Sequence, residues 1–211
     1  MPDGSDTVSV KVVSRISKLD PAEWDECAGS NLPDGNPSIC YAFLHALEES
    51  QSVRAETGWQ PQHLVVEDAS GKLIGAVPVY LKSHSMGEYV FDYGWANAYE
   101  RAGGQYYPKL QASIPFTPVT GPRLLVRPSI GSHTTKAALV AAMIEWTTRN
   151  DLSSLHVTFP SKADSDYLEE ADFMIRHAHQ YHWHNRSYKN FDDFLYSLNS
   201  RKRKMIRKER R

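Results

Sequence analysis

SHSMGEYVFDYGWANAYERAGGQYYPKLQASIPFTPVTGPRLLV, residues 83–126, is the stretch that departs furthest from what an ordinary helix or strand requires. Seven of the eighteen Tyr and Phe residues fall in it (Tyr89, Phe91, Tyr93, Tyr99, Tyr106, Tyr107 and Phe116), set among Gly, Pro and isolated charges. Aromatics that serve only a core recur at intervals of about 2.0 or 3.6 residues. These crowd instead around short polar tips, with Asp92, Trp95, Glu100, Arg101 and Lys109 between them, as rings lining a cleft do. A long, well-packed connection is the competing reading. Long loops inside compact domains are functional or disordered as a rule, and this one is too aromatic for disorder. The residues allow a short strand over Glu88 to Tyr93, a helical turn or two from Trp95 to Arg101, and one or two strands from Lys109 to Val126, broken by Pro115 and Pro118.

On the N-terminal side, Val8, Val10 and Val12 alternate with polar residues as a half-buried strand does. Asp20 and Pro21 start a helix, Glu23 is placed to close a capping box, Trp24 and Cys27 turn inward, and Gly29 ends it. After the loop NLPDGNP, Ser38 or Asn36 caps a second helix with Cys40, Phe43, Leu44 and Leu47 as its apolar stripe. His63 to Glu67 and Lys72 to Leu81 read as an antiparallel hairpin about the turn Asp68 to Gly71. Pro78 demands an edge or an interrupted ladder in the second strand.

On the C-terminal side, Ser132 caps a helix running to Arg149, with Leu139, Ala142, Met143 and Trp146 at helical spacing. Leu155, Val157 and Phe159 alternate as a strand, and Asp164 or Ser165 caps a short helix through Glu170. Phe173 to His177 and Gln180 to Tyr188 read as two further strands. Asn190 then caps a helix with acidic residues in its first turn and basic residues in its last. The fold class is α/β (α+β): a mixed central sheet flanked by helices in 1–189, with an appended basic helix in 190–211.

The 211 residues are 41% hydrophobic, enough for a core. No apolar run reaches the roughly 20 residues of a membrane span, and the first residues lack a signal-peptide centre, so a cytoplasmic protein is expected. Cys27 and Cys40 lack ligand spacing and read as reduced thiols. The net charge of −1 conceals an asymmetry, because RKRKMIRKERR at the C-terminus holds eight of the 24 basic residues and only one of the 25 acidic ones. Residues 1–200 therefore carry −8 and residues 201–211 carry +7. An acidic body argues against a general nucleic-acid-coating protein, while the basic end suits phosphate. The run ends with no helix stop signal, which suggests a fragment.

The element order resembles that of the acyl-CoA N-acyltransferase (GNAT) superfamily over residues 8–188. The resemblance implies a sheet splayed open where acyl donor and acceptor meet. The segments NPSICYAFLHALEES, GWQPQHLVV, LKSHSMGEYVFDYGWANAYERAGGQYYPKLQASIPFTPVTGPRLL and QYHWHNRSYKNFDDFLYSLNSRKRKMIRKER resemble the Fem-like peptidoglycan biosynthesis or recognition proteins over almost the whole chain. Such proteins carry two acetyltransferase-like halves, so the resemblance implies a first half followed by the start of a second, with the C-terminal half missing. It further implies acyl or aminoacyl transfer to an amine by the full-length protein, with acetyl-CoA or aminoacyl-tRNA as donor and a peptidoglycan precursor as a candidate acceptor. The loop corresponding to the pyrophosphate-binding loop of acetyltransferases reads Arg127 to Ser132. It runs one residue too long before its only Gly, and Pro128 removes a donor, which argues against acetyl-CoA.

Attack on an acyl ester or thioester needs a neutral amine, a proton acceptor and donors for the oxyanion. Asp92, Glu88, Glu100 and His84 are the acid–base candidates within residues 83–126. Asp92 is preferred as the catalytic group because Phe91 and Tyr93 flank it and would raise its pKa on burial. Trp95, Tyr106, Tyr107 and Lys109 are candidate acceptor-binding residues, with Arg123 for a carboxylate or phosphate. For each of these, ordinary packing, capping or solvation is the competing role. Arg201, Arg203, Lys204 and Arg207 are candidate contacts to tRNA or pyrophosphate phosphates, which do not read sequence. A solvated helix, or a non-catalytic module binding nucleic acid or a cell-wall precursor, is the alternative. His177, His179, His182 and His184 have no third ligand at a matching spacing, and no metal is predicted.

Overall fold

The structure is a computed structural model that describes residues 9–32, 35–90, 92–128 and 131–210. Val8, part of the loop NLPDGNP, Phe91, and Ser129 with Ile130 of the candidate pyrophosphate loop lie outside the described residues. The chain divides into two compact units, residues 1–175 and 176–211.

The first unit is a mixed α/β body of two four-stranded sheets flanked by helices. Strands β1 (Ser9–Val13), β3 (His63–Glu67), β4 (Leu73–Val77) and β7 (Leu125–Val126) form one sheet in the order β1-β3-β4-β7. Strands β2 (Trp59–Pro61), β5 (Val79–Lys82), β6 (Lys109–Ala112) and β8 (Leu155–Val157) form the other in the order β2-β5-β6-β8. Every described ladder is antiparallel except β6–β8, which is parallel. The sheets meet in one hairpin, since Trp59↔Lys82 and Pro61↔Tyr80 share their register with Leu64↔Val77 and Val66↔Gly75. Gln62 N–H bridges the join by donating to the Val79 carbonyl at 2.8 Å. Pro78, which has no N–H to give, occupies the place where the strand leaves one sheet and enters the other.

Helices α1 (Pro21–Ala28) and α2 (Tyr41–Glu49) cover one face of the first sheet, where Trp24, Cys27, Ile39 and Leu44 pack with Val65, Ala76 and Leu125. Helix α4 (Ser132–Arg149) covers the other, packing Leu139, Val140 and Met143 against Leu64, Val66 and Val77. The same α4 core takes Val79, Leu110 and Ala112 from the second sheet, together with Leu168 of α5 (Lys162–Glu170). One face of the second sheet is thus apolar, and by strand alternation its opposite face carries Tyr80, Lys82, Lys109 and Gln111.

Several caps differ from expectation. Asp20 caps α1 by accepting from Glu23 N–H at 2.9 Å, but the Glu23 carboxylate accepts from Leu73 N–H at 3.1 Å in the first sheet instead of closing a capping box. Asn36 caps the short turn Pro37–Ile39, and α2 begins from Cys40. Gly131 at φ 100° precedes α4, so Ser132 is inside the helix and not its cap. Ser161 caps α5, which frees Asp164 for a buried network.

The described residues of 88–93 form no strand; Gly87 at φ 80° and Tyr89 at φ 56° lie in the left-handed region, which a strand does not admit. The helical turn after them is α3 (Tyr93–Arg101). The two strands expected within 173–188 are also absent, as those residues pair with no ladder. In the second unit the single helix expected after Asn190 is two, α6 (Phe191–Tyr196) and α7 (Ser200–Glu209). Asn190 and Asn199 each accept a 2.9 Å bond from the first turn that follows.

Gly75 lets α4 lie close on β4, since a Cβ there would sit 2.4 Å from Thr135 Cγ2 and 3.3 Å from Leu139 Cδ1. Gly75→Ala is expected to destabilise the protein by about 1–3 kcal/mol in urea unfolding. Adding Thr135→Ser, which removes the clashing methyl and keeps the hydroxyl, should recover part of that loss; no recovery would show that the clash is not the cause.

Candidate functional site

The polar face of the second sheet is built by register. Lys82 on β5 stands opposite Lys109 on β6 and opposite Trp59 on β2, which puts three large side chains in one row. The adjacent row is Pro61, Tyr80, Gln111 and His156. Lys82 Nζ lies 3.4 Å from the centroid of the Trp59 ring and donates to the Met86 carbonyl at 3.3 Å. Like charges directly across a ladder repel, so two buried lysines in one row require anions.

The segment folded over this face supplies them. Lys109 Nζ lies 2.8 Å from Glu88 Oε2 and 2.7 Å from Asp92 Oδ2, and all three side chains are buried. Asp92 stands immediately before α3, and its carbonyl accepts from Trp95 and Ala96 N–H at 2.9 and 3.0 Å. Tyr106 O–H donates to Asp92 Oδ2 at 3.0 Å, and Ser85 O–H donates to Asp92 Oδ1. The Ser85 and Tyr107 hydroxyls are themselves hydrogen-bonded. Lys109 also approaches His156 Nδ1 at 3.4 Å.

The electrostatics follow from this packing. Burial pushes the Asp92 carboxyl upward, but hydrogen bonds from Lys109 and Ser85, the Lys109 charge and the Tyr106 hydroxyl outweigh it and hold Asp92 below its ordinary value. Glu88 goes the other way, because burial raises it more than Lys109 lowers it. Burial lowers Lys82 to about 7, with the Lys109 charge adding and the Glu88 and Asp92 charges opposing. Burial raises the Tyr107 hydroxyl to about 12, and burial with the Asp92 carboxylate raises Tyr106 as well.

Asp92, Tyr106, Tyr107 and Lys109 therefore sit together, yet as a closed cluster and not along an open cleft wall. Of the other sequence candidates, Trp95 is 66% exposed on α3, near the exposed Tyr93 and Tyr99. Arg123 is buried and given over to the main chain: Nε donates to Thr158 O at 3.0 Å, Nη1 to Pro122 O at 3.0 Å and Nη2 to Val119 O at 2.7 Å. That corrects the expectation of an arginine free for a ligand carboxylate. A concavity of about 360 Å³ lies elsewhere, lined among others by Arg15, Glu48, Val53 and Arg54, and holds none of the sequence candidates.

Lys82, Ser85 and His156 were not singled out by sequence. The available signal was the alternation in Val79-Tyr80-Leu81-Lys82 and Lys109-Leu110-Gln111-Ala112, which places Tyr80, Lys82, Lys109 and Gln111 on one face.

In the second unit Arg201, Lys204 and Arg207 are exposed on α7. Arg207 lies 3.8 Å from Asp192, and Arg203 is turned inward to donate to the Leu195 carbonyl at 3.0 Å and the Leu198 carbonyl at 2.9 Å. Among the described residues no helix is long and apolar enough to cross a membrane, and no group of three or more potential ligands is placed to hold a metal ion.

Two solved structures resemble this one. One is an acetyltransferase of Trypanosoma brucei, at 13% identity over 84% of this chain and 99% of the other, with a TM-score of 0.45. The other is the aminoglycoside antibiotic 6'-N-acetyltransferase of Acinetobacter baumannii, at 13% identity over 84% of this chain and 98% of the other, with a TM-score of 0.47. A search of curated proteins gives no match. A sequence profile for peptidoglycan biosynthesis/recognition proteins matches residues 15–211, nearly the whole length and all of the cluster around Lys109, and by that match the chain belongs to the FemAB-like family.

Proposed function

We propose that the protein takes part in acyl or aminoacyl transfer from an ester or thioester donor to an amine, and that the amine belongs to a peptidoglycan precursor. The observation that carries this reading is the buried row of Lys82 and Lys109 with Glu88 and Asp92, beneath tyrosine hydroxyls, in a chain of the FemAB-like family. A desolvated set of amines, carboxylates and hydroxyls is what proton removal from an attacking amine requires.

In this reading Asp92 is a brace. A carboxylate held low by Lys109, Ser85 and Tyr106 is a weak proton acceptor, and its work is to orient those three groups. The exposed rings of Tyr93, Trp95 and Tyr99 offer stacking surface to the acceptor. Acetyl-CoA and aminoacyl-tRNA remain the two donor classes.

The test is incubation of the protein with acetyl-CoA or aminoacyl-tRNA and a soluble muropeptide, at low and high salt, read by mass spectrometry for a new amide. An amide product that falls about a hundredfold in Asp92→Asn, because Lys109, Ser85 and Tyr106 lose the carboxylate that orients them, is the expected result. The exposed cations of α7 favour one second reading, a binding module for a phosphate-rich partner. Salt-sensitive RNA binding with no amide from either donor would select it and overturn the transferase.

A further inference from the structure

The polar face of the second sheet has more hydrogen-bonding capacity than it uses. Glu88 Oε1 and Gln111 Oε1 are buried with no partner among the described residues. Gln111 lies two residues from Lys109 on β6, so both point to the same face. A buried acceptor with no donor is costly, and two beside one row of lysines suit a ligand that brings N–H groups. Lys82 Nζ for its part makes one hydrogen bond among the described residues, to the Met86 carbonyl.

We infer that this face seats the primary amine of the acceptor, with Glu88 and Gln111 accepting its N–H groups and Lys82 acting as the catalytic base that takes its proton. The inference rests on the transferase reading above and names the residues that would carry it out. The groups acting on Lys82 are Trp59 from β2, Lys109 from β6, Glu88 and Asp92 from the covering segment, and His84, which burial and the Lys82 charge hold below its ordinary value.

With Lys82 titrating near 7, the neutral form is available at physiological pH and is still basic enough to accept a proton. The Trp59 face and the Met86 carbonyl then stabilise the ammonium that forms. In the step itself, the acceptor ammonium gives one proton to Lys82 Nζ and the freed amine pair attacks the acyl carbonyl. The C–N bond forms, the C–O or C–S bond to the donor breaks, the second amine proton goes to the departing oxygen or sulfur, and Lys82 returns its proton to solvent. The cluster is covered by the described residues of 83–92, whose Met86 and Tyr89 side chains face solvent.

The test uses the full chain and Nα-acetyl-L-lysine as the amine probe, with Nα-acetyl-L-norleucine as the amine-free control. A charged Lys82 repels an incoming ammonium, so the probe should bind about tenfold more tightly at about pH 8 than at about pH 6. Lys82→Met should abolish that dependence and His84→Gln should keep it. The 13Cε resonance of Lys82, assigned with Lys82→Arg, should titrate near 7 in the wild-type chain, a readout that does not require the Met variant to fold. Equal binding of probe and control, pH-independent binding, or a Lys82 midpoint above about 9 overturns the inference. If the probe behaves as expected but no donor yields an amide, the amine site stands and the transferase reading falls. If Lys82→Met transfers acyl groups at the wild-type rate, the base assignment falls and the transferase reading stands.

Discussion

Lys109→Met should leave the protein about 3–5 kcal/mol less stable in urea unfolding near neutral pH. The substitution keeps the length of the side chain but strands Glu88 and Asp92, which are buried and each within 2.8 Å of the lysine nitrogen. The pH dependence gives the deficit a signature. Asp92 has a lowered folded pKa, so its stabilisation is fully present above its unfolded value, near 3.9, and is lost as pH falls through the folded value. Glu88 has a raised folded pKa, so its ionisation costs stability as pH climbs from the unfolded value through the folded one. Without Lys109 both carboxylates move upward and both can take a proton in mild acid. The difference between wild type and variant should therefore shrink from about pH 7 to about pH 4. Adding Glu88→Gln removes one stranded charge and should recover about 1 kcal/mol or more. A deficit under about 1 kcal/mol, or one that is flat with pH, would mean that the ion pairs do not hold this face together.

Asp164→Ala is expected to be comparably damaging, about 3–5 kcal/mol. Its Oδ2 accepts from the main-chain N–H groups of Arg123 at 2.7 Å and Leu124 at 3.2 Å, and its Oδ1 lies 2.9 Å from Lys136 Nζ. Losing the carboxylate leaves two buried amides without an acceptor and removes the anion beside Arg123, whose guanidinium burial has already brought down to about 10. Asp164→Asn retains one oxygen for the two amides and gives up the charge beside Arg123 and Lys136, the latter partly solvated, so it should recover about half of the loss. Amide hydrogen exchange locates the effect: Arg123 and Leu124 should exchange faster in the Ala variant and stay protected in the Asn variant. Equal damage from both variants would instead assign the loss to charge.

The elements most legible in the sequence are those whose signals are local. The Asp20 and Asn190 caps, the apolar stripe of α4 and the hairpin about Asp68 to Gly71 depend on neighbours within a few residues, and each is present. Residues 173–188 show why alternation alone is insufficient: their pattern suits a strand, but a strand exists only where another edge accepts it, and none pairs with them. Arg123 read as a ligand-binding cation because its partners are main-chain carbonyls, which carry no sequence signature. At the candidate site, aromatic crowding located Asp92, Tyr106, Tyr107 and Lys109, but the role of Lys82 depends on a cross-strand register that a strand-end lysine does not reveal.

The single register that runs from Trp59↔Lys82 to Val66↔Gly75 bears on the order of assembly. A hairpin closes over a short loop, so its entropic barrier is met before that of any pairing between distant segments. Trp59 and Lys82 are thus brought together early, with the lysine still hydrated and charged. Lys109 arrives from farther along the chain, and His156 from farther still. Because a second lysine cannot dock against the first without the carboxylates between residues 83 and 92, desolvation of the whole charged row becomes a late and concerted event. Denaturant kinetics should find hairpin substitutions such as Val66→Ala slowing refolding, while Lys109→Met chiefly accelerates unfolding.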